Sequence, residues 1–276
     1  GGVTLAALPQ YANARMPLIV PASSADVLTS RGYRNVFRLP TKDSSEGQLF
    51  AHHVAGLKKY KGAICITADG EYGDDVARSF ASQASNEKLP TDIVRVRPAT
   101  LLLPETIKHV LAAIPDYIFL AGNTQAIGPL VPALRAAGYT GDFGACQGFY
   151  NSDTIQTYSR ELGSALISTS MPPVDRMPLM NEYLSDLRAR MGEVTPLSAF
   201  GFAAAQLAMN ASRRTGAIDR LSMLRTLSTG GLFDTLVGSF TFTMTGDPSD
   251  PNLYFYSISE GRFKFSEAAH SGAFSL

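Results

Sequence analysis

Apolar positions along the chain follow two alternating patterns. Short solid runs such as Leu18-Ile19-Val20 and Tyr117-Ile118-Phe119-Leu120 predict strands buried on both faces. Stretches with apolar residues three and four apart predict helices. Leu5, Leu8 and Ala12 form such a stripe after Gly1-Gly2-Val3-Thr4. Strand 16–20 stops at Pro21, which cannot donate to a sheet ladder. The small-residue loop Ala22-Ser23-Ser24-Ala25 follows, then a short helical turn at 26–29.

The alternation then becomes regular. Strands are predicted at 36–39, 63–67, 93–96, 117–120 and 142–146, and helices at 46–59, 74–86, 106–113 and 126–137. Asp43 or Ser44 can cap the first of these helices and Gly138 stops the last. Repeated strand–helix units specify a parallel sheet covered on both faces, an α/β fold. In such a fold, ligands meet the loops at the carboxyl ends of the strands: here 68–73, 121–124 and 147–150. The loop after the first strand, with Ser23 and Ser24, offers small hydroxyls and backbone N–H groups suited to an anion such as a carboxylate; taken alone it reads as an ordinary βα loop whose serines serve turn chemistry. Beyond Met171-Pro172-Pro173 three helices are predicted, at 180–191, 198–213 and 218–227. Segments 237–243 and 253–257 then alternate like a half-buried antiparallel pair joined by the loop 246–251.

Composition narrows the function. The chain has 276 residues with 24 basic and 24 acidic side chains, so it carries no net charge to draw it to nucleic acid or an anionic membrane. No apolar run approaches the length needed to span a bilayer, and no signal peptide is visible. Cys65 and Cys146 stand in no metal-ligand spacing and are expected as free thiols. His52 and His53 lack partners at ligand spacing and are expected as surface or packing residues, so no metal site is expected.

With the loops placed, the chain resembles type I periplasmic solute-binding proteins of the branched-chain amino acid (Leu/Ile/Val-binding) ABC transporter family. The matching stretches are Pro21-Ala22-Ser23-Ser24 with Leu28-Thr29-Ser30-Arg31-Gly32-Tyr33, Phe37-Arg38 with Asp43 and Gly47, Glu71-Tyr72-Gly73, Ala136-Ala137-Gly138-Tyr139, and Val237-Gly238-Ser239-Phe240 with Gly246-Asp247. The resemblance implies two α/β lobes, three crossovers and a solute cleft between the lobes. Lobe I would be 1–40 plus 173–236, lacking the family's opening strand–helix units, and lobe II 41–172 plus 237–276. It also implies that Ala22, Ser23, Ser24 and Gly1 grip the solute carboxylate, that Tyr72 covers the ligand, and that Phe200 lies beside its side chain. Gln147 stands where the family has an acid for the solute ammonium, and Asn123 where it has a tyrosine. A neutral amide pair suits a keto, hydroxyl, amide or aromatic tail, because a buried ammonium without a carboxylate is strongly disfavoured.

The resemblance implies a non-catalytic receptor, exported from the cytoplasm, that delivers a small carboxylate-bearing solute to a membrane permease. It calls for no cofactor, nucleic acid or direct membrane insertion. A sensory ligand-binding domain of the same fold is the alternative. An enzyme is the third reading: no Gly-x-Ser-x-Gly, Walker loop, His-Glu-x-x-His or Cys-x-x-Cys is present, and Asp69 and Glu71 stand like a carboxylate pair, though loop carboxylates at strand ends are usually solvated or helix-capping.

Overall fold

The computed structural model of the protein describes residues 2–68, 72–97, 104–177, 189–190 and 195–270. The chain divides into two compact units, residues 1–42 with 171–252 and residues 43–170 with 253–273.

In the second unit the predicted alternation is realised strand by strand. Helix α3 (Asp43–Gly56) leads to β3 (Ala63–Ala68), α4 (Asp74–Asn86), β4 (Thr91–Val96), α5 (Pro104–Ala112) and β5 (Tyr117–Leu120). Two short helices follow, α6 (Thr124–Ile127) and α7 (Leu130–Ala136), then β6 (Asp142–Ala145), α8 (Ser152–Leu162) and β7 (Leu166–Thr169). The single helix expected at 126–137 is thus two. Pro129 lies between them, and its ring removes a backbone donor. Strands β10 (Asn252–Ser259) and β11 (Arg262–His270) complete a seven-stranded sheet of order β11-β10-β7-β6-β5-β3-β4. The pairs among β4, β3, β5, β6 and β7 are parallel, and β10 runs antiparallel to β7 with Phe255 opposite Ser168. Every residue of β3 and of β5 is buried, as the solid apolar runs require. Two apolar layers cover the sheet. One includes Ile66, Ile118, Leu130 and Phe143. The other centres on Phe50, Phe80 and Phe119, whose rings stack 4.2 Å apart for Phe80 and Phe119.

The first unit opens with α1 (Gly2–Asn13), whose Leu8 is fully buried. Strands β1 (Leu18–Val20) and β2 (Val36–Arg38) pair in parallel, Ile19 opposite Phe37, with α2 (Val27–Ser30) between them in sequence. The unit continues with α9 (Pro196–Thr215), α10 (Arg220–Thr229), β8 (Phe233–Thr235) and β9 (Gly238–Phe240). Apart from 189–190, which are helical, the helix expected at 180–191 lies outside the described residues.

Two expectations are corrected here. Segments 237–243 and 253–257 do not pair: β9 forms a hairpin with β8, while β10 joins the large sheet. Residues 237–252, expected in the second lobe, belong instead to the first unit. Phe242 packs edge-on against Phe37 at 5.3 Å, and the Arg38 N–H donates to the Gly246 carbonyl at 2.8 Å. Gly246 makes this approach with φ +90°, where a side chain would meet the Val36 carbonyl.

Candidate functional site

In the first unit β1 ends at Val20 and hands over to the loop Pro21–Ala25. Ala22 is exposed, Ser24 half-buried and Ser23 only 9 % exposed. Among the described residues, no hydrogen bond engages the N–H groups of Ala22, Ser23 and Ser24 or either serine hydroxyl. The loop therefore presents a row of uncommitted donors, and an anion is their natural partner. Thr4 and residues 18–23 line a recess of about 160 Å³ beside them.

The loop is braced from behind by a buried charge network. Arg38 is completely buried; its Nη1 donates to the Ala25 carbonyl at 2.8 Å and its Nε to Asp247 Oδ1 at 3.0 Å. Its Nη2 donates to Thr29 Oγ1 at 2.7 Å, and that hydroxyl donates to Asp247 at 3.0 Å. A guanidinium fork in this arrangement fixes β2, α2 and the 246–247 turn against one another, and with them the Ser23–Ser24 loop. Phe200, near the start of α9, is 6 % exposed and packs in one cluster with Phe37, Met171 and Leu207. Most of that ring is core. Gly1 lies outside the described residues.

The loops after β3, β5 and β6 of the second unit bring together Tyr72, Asn123 and Gln147. Their backbones pack closely. Gly73 holds φ +119°, and a side chain there would strike the Ala121 carbonyl; one on Gly148 would strike the Gly122 carbonyl. Thr124 Oγ1 donates to the Gly148 carbonyl at 3.0 Å, and the Gly122 N–H donates to Cys146 Sγ at 3.2 Å. Asn123 is half-buried and precedes α6 without capping it, which leaves its side chain outside the helix's hydrogen bonding. Asp69 and Glu71 lie outside the described residues.

Tyr72 and Gln147 share an anchor that the sequence did not reveal. Glu46, in the first turn of α3, is 1 % exposed. Its Oε1 accepts from the Gln147 N–H at 2.7 Å and from Ser168 Oγ at 2.6 Å, and its Oε2 accepts from the Tyr72 hydroxyl at 3.2 Å. Burial, opposed by the Ser168 hydrogen bond and reinforced by the nearby Asp43 carboxylate, pushes the Glu46 carboxyl up to about 7. Burial likewise holds the Tyr72 phenol well above its usual range, so it stays neutral. The weak signal for Glu46 was an acidic residue one place before Gly47. Gly47 in turn lets α3 pack on α4, since a side chain there would meet the Val76 carbonyl.

The remaining chemistry-bearing residues sit elsewhere. His52 Nδ1 lies 2.8 Å from Glu87, and His53 Nε2 lies 3.5 Å from Glu267, on the sheet's helical cover. Both cysteines are free and buried, and burial raises their thiols so that neither is a ready nucleophile.

Residues 1–262 match the family described as Periplasmic binding protein. The Leu/Ile/Val-binding protein homolog 3 of Brucella melitensis is 22% identical over 89% of this chain and 67% of its own length. The chain spans about half to two thirds of the curated relatives it matches. Among solved structures, a leucine binding protein from Thermotoga maritima superposes with a TM-score of 0.87 at 18% identity, covering 98% of this chain and 78% of that one. A solute binding protein of an ABC transporter from R. palustris, in complex with benzoate, gives 0.78 at 16% identity over 97% of this chain and 75% of that one. These likenesses fix the type I fold. Among the described residues no helix is long and apolar enough to cross a membrane. The chain belongs to the periplasmic binding protein family, as a type I member beside the Leu/Ile/Val-binding proteins of branched-chain amino acid transport.

Proposed function

We propose that the protein is an extracytoplasmic receptor that binds a small carboxylate-bearing solute and presents it to the permease of an ATP-driven importer. The solute's carboxylate is held by the Ala22-Ser23-Ser24 loop of the first unit, and the second unit's candidate solute contacts are Tyr72, Asn123 and Gln147. The observation that carries this reading is the row of uncommitted N–H and hydroxyl donors on the Ser23–Ser24 loop, braced by Arg38 and Asp247. A carboxylate takes two or three such donors at once, each charge-assisted bond contributing roughly 1.5–3 kcal/mol away from bulk water.

The finer identity of the solute is read from the second unit. Gln147 and Asn123 carry no charge, so they suit a keto, hydroxyl, amide or aromatic tail better than a bare ammonium. Relatives are named for leucine, isoleucine and valine, and one structural neighbour was solved with benzoate. All of these ligands carry a carboxylate. Calorimetric titration with a panel of amino, keto, hydroxy and aromatic acids tests the reading, and Ser24→Ala weakens the best of them about tenfold or more. Unchanged affinity in Ser24→Ala removes the loop from the site.

A further inference from the structure

Glu46 receives three converging donors. The Gln147 N–H is fixed in direction, and Ser168 can turn its proton to the Ala145 carbonyl at 3.3 Å. Both meet Oε1, which leaves Oε2 as the oxygen facing Tyr72. The third, between Oε2 and the Tyr72 oxygen at 3.2 Å, joins two oxygens, either of which can hold the proton. When Glu46 is a carboxylate it can only accept, so the Tyr72 hydroxyl donates to it and turns its lone pairs away from Glu46, towards the Gln147 amide and a bound solute. When Glu46 takes a proton from solvent at Oε2, it donates to the Tyr72 oxygen, and the phenol proton turns outward. One proton on a buried acid thus inverts what Tyr72 shows to its ligand.

We propose that Glu46 is a specificity-determining residue: its proton sets Tyr72 as donor or acceptor, so that the protonated protein prefers a solute presenting a keto or carboxyl oxygen and the ionised protein one presenting an ammonium or amide N–H. This rests on the reading that Tyr72 meets the solute, and on geometry confined to one compact unit. The titratable groups facing Glu46 come from several elements. From its own helix comes Asp43, from the loop after β3 Tyr72, and from the end of β6 Cys146, while Ser168 of β7 cannot ionise. The phenol and the thiol are both held neutral by burial, and the raised Glu46 pKa of about 7 places the switch near neutrality. The neighbouring Gln147 side chain also interacts with the Tyr72 phenol, so its amide is expected to turn with the hydroxyl.

The experiment measures affinities of the protein for L-leucine and its 2-keto analogue at pH 6, 7 and 8, a window in which neither solute titrates. The keto acid should lose up to about tenfold between pH 6 and 8, and leucine should gain correspondingly. Glu46→Gln keeps an oxygen for Gln147 and Ser168 and a permanent N–H for Tyr72, so it should lock the keto preference and flatten both profiles. Tyr72→Phe, which preserves the ring packing, should weaken binding and abolish the crossover even if Glu46→Gln does not fold. Flat profiles in the unmodified protein, with binding weakened in Tyr72→Phe, overturn the inference and leave the site reading standing. Binding unaffected by Tyr72→Phe overturns both.

Discussion

Replacing Glu46 by glutamine should stabilise the solute-free protein at alkaline pH and do little at acidic pH. An unfolded glutamate titrates near 4.5, whereas the native carboxyl is held at about 7 by burial. Between those values the native state binds more protons than the unfolded state, so stability is fully present below the lower value and is lost as pH rises through the upper one. A tenfold difference in proton affinity between the two states is worth about 1.36 kcal/mol, so the loss between pH 5 and pH 8 is about 2–3 kcal/mol. Glutamine fills the same volume, keeps the acceptor for Gln147 and Ser168, and carries no titratable proton. The Glu46→Gln protein should therefore gain about 2–3 kcal/mol over its parent between pH 5 and pH 8, an advance on the order of 5–10 °C in midpoint for a unit of this size. Paired thermal melts across that range, without solute, measure it. Every other titrating group, including the lowered His53 beside Phe255, is common to both proteins and cancels. A difference in midpoint that stays constant from pH 5 to pH 8 refutes the reasoning, for it would mean Glu46 does not titrate in this window.

Other outcomes follow from the same contacts. Asp247→Ala leaves the fully buried Arg38 guanidinium without its carboxylate and should cost about 3–5 kcal/mol in chemical denaturation; a loss below about 1 kcal/mol would show the network to be dispensable. Gly73→Ala forces a side chain onto φ +119° against the Ala121 carbonyl and should cost roughly 1–3 kcal/mol, with solute affinity falling because Tyr72 is displaced. Cys146 should resist alkylation in the native protein at pH 8 and react on unfolding, since its thiol is buried and raised. Rapid native labelling, read by mass, would contradict that burial.

The parallel sheet was legible because its strands are buried on both faces and so are written as solid apolar runs; β3 and β5 fall within one residue of their expected bounds. Strand β7 was not legible. It reads Leu-Ile-Ser-Thr, and its Ser168 is spent on a carboxylate 122 positions earlier in the chain. Its neighbour α8 is strongly amphipathic but short of large apolar residues, so it gave no comparable run. The partner of β10 was misjudged for a related reason. Alternation along a strand reports which face is wet, not which strand lies beside it, and β7 is far away in sequence. At the candidate site, Tyr72, Asn123 and Gln147 could be placed because their loops follow legible strands. Glu46 could not, since what makes it special is a hydrogen bond to Gln147 across 101 positions and the absence of water. Arg38 and Asp247 were legible as residues shared with relatives, but their ion pair behind the serine loop appears only in three dimensions.

The central claim is that the Ser23–Ser24 loop binds a carboxylate. It is tested most directly by titrating one solute in two forms, a small acid selected from the panel and its methyl ester, against the unmodified protein and Ser24→Ala in a calorimeter. The account predicts tight binding of the acid, a loss of about tenfold or more on either esterification or Ser24→Ala, and no further loss of comparable size when the two changes are combined. Equal affinity for acid and ester, with Ser24→Ala indistinguishable from its parent, would contradict it.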